Sequence, residues 1–173
     1  MENQAVLTKN IVVINDEKTS SRIYNKGSFG TPVKTKLELS LVEAMYLSDN
    51  GRITITDSKN RKITSEDFVK KALKEDKRFT IRYAVYNNLR KNSYLPKTAL
   101  KYGLDFRLYE KGKKPGKEHS DWLVHCVHEN NAFTWKGFAG IMRVVNSVRK
   151  KLMIAIVDDE GDVTYYEVAW KKS

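Results

Sequence analysis

Two short runs, Trp122-Leu123-Val124-His125-Cys126-Val127 and Leu152-Met153-Ile154-Ala155-Ile156-Val157, read as strands because each is short, apolar and bounded by polar residues. Between them Phe138, Ile141, Met142, Val145 and Val148 recur at helical spacing, so Trp135 to Arg149 reads as a helix. Working outward, a strand is expected at Val163 to Val168, pairing back across the turn Asp158-Asp159-Glu160-Gly161-Asp162. Upstream, further strands are expected at Leu95 to Thr98 and Phe106 to Tyr109, behind a helix from Phe79 to Lys91. The natural arrangement for this half is a mixed sheet packed on helices.

The first half reads as a small α+β unit. Strand-like runs occur at Val6-Leu7, at Ile11 to Ile14 and at Lys34 to Leu39, with Tyr24 to Gly30 read as a turn containing two glycines. Ser40 and Glu43 have capping-box spacing and start a short helix that Asn50-Gly51 ends; the strand Ile53 to Thr56 follows. Ser65 is expected to cap a helix carrying Phe68, Val69, Ala72 and Leu73 on one face. The charged run Lys74-Glu75-Asp76-Lys77 marks the seam, giving domains at residues 1–76 and 77–173. The fold class is therefore α/β (α+β).

Lys plus Arg is 32 and Asp plus Glu is 21 in 173 residues, a net charge of +11. Such an excess suits a polyanion, RNA or DNA phosphate above all, or simply a lysine-rich surface. Cys126 is the only cysteine, so no intrachain disulfide can form and a C-x-x-C zinc pattern is absent. The N-terminus lacks the basic start and apolar core of a signal peptide, and no apolar run approaches the ~18 residues of a membrane span. A soluble cytoplasmic protein is expected.

Three side chains stand out for chemistry. Period-2 alternation sends Phe106 and Leu108 to one face and Asp105, Arg107 and Tyr109 to the other, so Tyr109 ends its strand on the polar side. The basic loop Glu110 to Glu118, with Lys111, Lys113, Lys114 and Lys117, delivers His119. A free imidazole titrates near ~6.5, close enough to neutrality to give up a proton there. Lys150 is expected to close the helix, with Ser147, Arg143 and Lys136 behind it on a polar face opposite the apolar one. Each also has an ordinary reading: a strand-end tyrosine packing its ring, a surface histidine, a solvated cation at a helix C-terminus. Together they are a base, an acid and a cation, the groups that metal-free RNA cleavage requires.

Residues 101–109 (Lys-Tyr-Gly-Leu-Asp-Phe-Arg-Leu-Tyr), Glu118-His119-Ser120 and Ser147-Val148-Arg149-Lys150-Lys151 resemble, in this order, the catalytic domain of archaeal tRNA-splicing endonucleases. The likeness continues through Ala155-Ile156-Val157-Asp158 and Gly161 to Tyr166, and more loosely at Tyr24 to Gly27 and Leu41 to Ala44. The resemblance implies a restriction-endonuclease-like C-terminal nuclease domain. It implies Tyr109 as general base, His119 as general acid and Lys150 as the cation on the transition state. It also implies cleavage of precursor tRNA at bulge–helix–bulge junctions, leaving 2′,3′-cyclic phosphate and 5′-hydroxyl ends, with no metal or nucleotide cofactor. A phenol of pKa about 10 needs neighbouring cations to act as a base near neutrality.

Family members sandwich an extruded base between two arginine-type side chains. Arg143 matches one arm, and Trp170 is the candidate for the other. Lys101 and Lys117 are expected to join them on the RNA. The acidic turn, Asp158, Asp159, Glu160 and Asp162, matches a loop that enters a basic groove of another subunit, implying a homotetramer or a heterotetramer with a structural chain. Two readings compete. A magnesium-dependent restriction-type nuclease would use Asp105 and Glu118 but lacks the usual Glu-x-Lys pair. A non-catalytic RNA-binding or scaffold subunit would have no need of Tyr109, His119 and Lys150 together. His125, Cys126 and His128 are not expected to gather on one metal, because alternation turns His125 away from the other two.

Overall fold

A computed structural model describes residues 3–113 and 115–171. The chain divides into two compact units, Met1–Tyr83 and Ala84–Ser173. Each is built around its own mixed five-stranded sheet.

In the first unit, β1 (Gln4–Thr8) and β2 (Ile11–Ile14) form a hairpin, followed by α1 (Glu17–Gly27), β3 (Thr31–Val33) and β4 (Lys36–Ser40). Then come α2 (Leu41–Asp49), β5 (Thr54–Thr56) and α3 (Ser65–Glu75). The strand order is β3-β4-β2-β1-β5, with β1 and β5 parallel. Ala5, Val12, Ile14, Leu37 and Leu39 alternate inward and are fully buried, and Phe68 of α3 is buried as well.

The capping box at Ser40 is present: Ser40 Oγ accepts from Glu43 N at 3.4 Å while Glu43 Oε2 accepts from Ser40 N at 3.0 Å. Glu43 is buried, and its second oxygen accepts from Gly30 N at 2.9 Å. At Gly30, with φ +69, a Cβ would lie 2.6 Å from the Glu38 carbonyl oxygen, so only glycine fits there.

Two expectations for this unit need correction. Residues 24–27 are not a turn but the last turn of α1, which Asp16 caps by accepting from Thr19 N at 2.8 Å and Ser28 ends at φ 51. The polar residues of α1 hid it, since only Thr19, Ser20 and Ile23 are buried. The cap of α3 is Thr64, not Ser65; its side chain accepts from Asp67 N at 3.2 Å.

Helix α4 (Phe79–Lys91) continues from the first unit into the second. Beyond it lie β6 (Leu95–Thr98), a short 3₁₀ turn (Leu100–Tyr102), β7 (Phe106–Tyr109), β8 (Trp122–His128), α5 (Trp135–Ser147), β9 (Lys151–Val157) and β10 (Val163–Val168). The order is β10-β9-β8-β7-β6; β8 and β9 are parallel and the other neighbours antiparallel. A parallel pair needs a crossover, and α5 supplies it. Thr134 caps α5, accepting from Gly137 N at 3.1 Å. Met142 and Val145 of α5 pack with Ala99, Leu104, Leu123 and Leu152 in a buried cluster, with Phe138, Ile141 and Val148 at its margin.

Helix α5 ends at Ser147 rather than Arg149. Arg149 takes the left-handed conformation, φ 54, so Lys150 lies beyond the helix and is not its last residue. Counting back along a helical face therefore does not locate it. Lys136, Arg143 and Ser147 are on the exposed side, as the apolar spacing requires.

Candidate active site

The sheet itself explains why distant segments meet. Strand β7 runs against β8, so its C-terminal end lies beside the start of β8, with Leu108 opposite Trp122. Strand β9 runs with β8, so its first residue, Lys151, also lies opposite Trp122. The end of β7, the approach to β8 and the approach to β9 thus share one edge of the sheet. Backbone bonds close this edge: Asp121 N donates to Leu108 O and Lys151 N donates to Asp121 O, both at 3.1 Å. Tyr109, His119 and Lys150 each sit on one of these three segments.

A cavity of about 400 Å³ opens here, lined by Tyr109, His119 and Lys150 together with Lys101, Tyr102, Arg107, Gly116, Lys117, Glu118 and Ser120. Tyr109 is only 3% exposed, so the polar face of β7 is covered rather than solvent-facing. His119 is exposed on its loop, and Lys150 is half-buried. Lys150 Nζ donates to Ser120 O at 2.5 Å, joining the approach to β9 to the residue after His119. A buried phenol, an accessible imidazole and an oriented ammonium at one cavity can take a proton, give a proton and neutralise a phosphate oxygen.

The basic loop is tethered at its base. Lys113 Nζ contacts both carboxylate oxygens of Asp121 at 2.7 Å, and this hydrogen bond, aided by the charges of Asp121 and Glu110, raises the Lys113 ammonium above its usual 10.5. A bridge between Pro115 and Glu118 folds the loop over Gly116. Lys114 lies outside the described residues.

Of the expected RNA contacts, Lys101 and Lys117 line the cavity, and Lys101 Nζ sits 4.9 Å from the Tyr102 ring centroid. Arg143 and Trp170 do not line it; both are exposed, Arg143 on α5 and Trp170 past the end of β10. The acidic turn joins β9 to β10. It is closed by Asp158 N to Asp162 O at 3.1 Å and by Asp162 N to Asp158 Oδ1 at 2.8 Å.

Asp105 and Glu118, the carboxylates a magnesium-dependent scheme would pair, are placed apart in role. Glu118 lines the cavity, whereas buried Asp105 does not; its Oδ2 accepts from Cys126 N at 2.8 Å and lies 3.4 Å from His125 Nδ1. His128 turns instead to Asp159, with Nε2 3.3 Å from Oδ1. No helix of the described residues is long and apolar enough to cross a membrane.

Sequence reasoning missed Tyr102 and Arg107 as members of the cavity. Arg107 carried a legible signal, since alternation placed it on the same face as Tyr109. A second cavity, about 510 Å³, lies in the first unit and is larger. It is lined by Asn3, Arg52, Lys62, Thr64 and their neighbours, with no histidine or tyrosine among the described lining residues.

Comparison with known proteins identifies the family. Residues 79–165 match the family described as tRNA intron endonuclease, catalytic C-terminal domain, and residues 3–69 match its N-terminal domain. The tRNA-splicing endonuclease of Methanothermobacter thermautotrophicus is 36% identical over 170 residues, covering 98% of each chain. That of Thermococcus onnurineus is 40% identical over 156 residues, 90% of this chain and 89% of its own. That of Nanoarchaeum equitans is 43% identical over 141 residues, 78% and 90% of the two chains. This chain belongs to the tRNA intron endonuclease family.

Proposed function

We propose that this protein removes introns from precursor tRNA by cutting both junctions of a bulge–helix–bulge RNA. In this reading Tyr109 takes the proton from the 2′-OH next to the scissile phosphate. The 2′-oxygen then bonds to phosphorus, and the bond to the 5′-oxygen breaks. His119 protonates the departing oxygen, and Lys150 neutralises charge on the phosphorane. The products are a 2′,3′-cyclic phosphate and a 5′-hydroxyl, so no water and no metal or nucleotide cofactor enters the step. The observation that carries this reading is the single cavity lined by Tyr109, His119 and Lys150 at the shared edge of three strands.

Around this centre, Lys101 and Lys117 contact substrate phosphates, while Arg143 and Trp170 stack on an extruded base. The boundary between the N-terminal and catalytic domains falls at residues 76/77. The enzyme acts as a homotetramer held by the turn of Asp158, Asp159, Glu160 and Asp162.

The test is to incubate the purified protein with an intron-containing precursor tRNA in EDTA and analyse the ends. Excised intron with cyclic phosphate and 5′-hydroxyl termini is expected. Products with 5′-phosphate ends, or cleavage that needs added magnesium, would overturn the mechanism.

A further inference from the structure

We propose that Arg107 is a further catalytic residue of this site, its guanidinium holding a non-bridging oxygen of the scissile phosphate. The inference rests on the cleavage reading above and adds to it a second cation, besides Lys150, on the reacting phosphoryl group.

Arg107 precedes Tyr109 by two residues in β7, so their side chains leave the sheet on the same face. Both line the cavity that His119 and Lys150 complete. Arg107 is half-buried, and its Nε is buried with no hydrogen-bond partner among the described residues. A guanidinium N–H withdrawn from water without an acceptor costs free energy that an anionic ligand would recover.

Its two cross-strand partners are not anions. Across the sheet Arg107 is in register with Lys97 on β6 and Leu123 on β8, one a cation and the other apolar. Lys97 is itself only 9% exposed, so two positive side chains point the same way from adjacent strands.

The chemistry fits the guanidinium in particular. Its planar fork of N–H donors matches two phosphate oxygens, where an ammonium offers a point charge. Negative charge on the non-bridging oxygens grows as the 2′-oxygen adds to phosphorus, so a fixed cation there favours the transition state over the ground state.

The test is single-turnover cleavage of a bulge–helix–bulge RNA with either a normal scissile phosphate or one phosphorothioate diastereomer at a time. In the unmodified enzyme, sulfur at the oxygen held by Arg107 is expected to slow cleavage, because sulfur is larger and a poorer acceptor. R107M should cut the normal RNA roughly 10²-fold more slowly, as for a lost electrostatic donor, and should no longer distinguish that diastereomer. R107K should keep part of the rate and part of the discrimination, and is read independently should R107M fold poorly.

If R107M or R107K slows all substrates by one common factor and leaves the sulfur effect intact, Arg107 is a structural prop and the proposal fails. Full activity in R107M overturns it equally. Should unmodified enzyme fail to cut the normal RNA at all, the cleavage reading is what has failed. Inorganic phosphate binding then decides Arg107: weaker binding by R107M upholds the anion contact, and no difference between the two proteins overturns it.

Discussion

The ammonium of Lys150 is held by the carbonyl oxygen of Ser120, Nζ to O at 2.5 Å, across a gap of 30 residues in sequence. The contact fixes the cation beside the segment that carries His119, so a single bond sets the spacing of two groups at the cavity. Lys150 sits where no helix constrains it, after the left-handed Arg149 and before β9. Its orientation is therefore owed to Ser120 and to the register of β8 with β9.

Replacing Lys150 by Ala should lower single-turnover cleavage of bulged RNA roughly 10²–10³-fold, the usual loss for one electrostatic donor. Stability should fall by only about 1–3 kcal/mol, the cost of one charge-assisted hydrogen bond. Urea unfolding beside the rate measurement separates the two effects. A rate equal to that of the unmodified enzyme would remove Lys150 from the mechanism.

For His119, proposed above as the general acid, the informative experiment changes the leaving group. His119→Ala should lose about 10²–10⁴-fold on normal RNA. A substrate whose 5′-oxygen is replaced by sulfur departs without protonation, so most of that loss should vanish. An equal loss on both substrates would assign His119 to binding instead.

How much of this was legible in the sequence depended on whether the signal was local. The strands Leu95–Thr98, Phe106–Tyr109 and Val163–Val168 and the helix Phe79–Lys91 have the bounds their patterns suggested, because alternation, helical spacing and turn residues mark them. Helix α1 was hidden, because just three of its residues are buried and its surface is polar. The end of α5 was misjudged by two residues, since nothing in Ser147-Val148-Arg149 announces a left-handed Arg149. The convergence of Tyr109, His119 and Lys150 follows from β8 and β9 lying parallel and β7 antiparallel to β8. That pairing is non-local, and no periodicity encodes it; there the reading rested on resemblance.

The Lys113–Asp121 pair should position the loop that carries His119. The hydrogen bond that Lys113 donates to Asp121 raises the Lys113 ammonium, so the pair's contribution is complete below 10.5 and is lost only as pH climbs above it. Between pH 6 and 9 the tether is intact, and Lys113→Met should lower the amplitude of the pH–rate profile without moving its inflections. The loss can reach about 10²-fold, the effect of misplacing a reacting group by ~1 Å. Asp121→Asn should mimic it, and the double variant should be no worse than either single one. Strictly additive losses would mean that the two side chains act separately.

The acidic turn offers a test of assembly that spares the fold, provided the right carboxylates are chosen. Asp158 should be left alone, because its Oδ1 accepts from Asp162 N at 2.8 Å and holds the turn closed. Asp159 is 75% exposed at its side chain, and its only described side-chain partner is His128 at 3.3 Å; Asp162 is exposed as well. On a chain of net charge +11, these carboxylates are a local inversion that a basic surface on another copy can bind. Reversing both, Asp159→Arg with Asp162→Arg, adds four units of positive charge per chain while leaving the backbone bonds of the turn in place. Light scattering on the eluting protein should then give a mass well below that of the unmodified assembly, and the shift should resemble that produced by raising salt. An unchanged mass at low salt would show that the turn takes no part in holding subunits together.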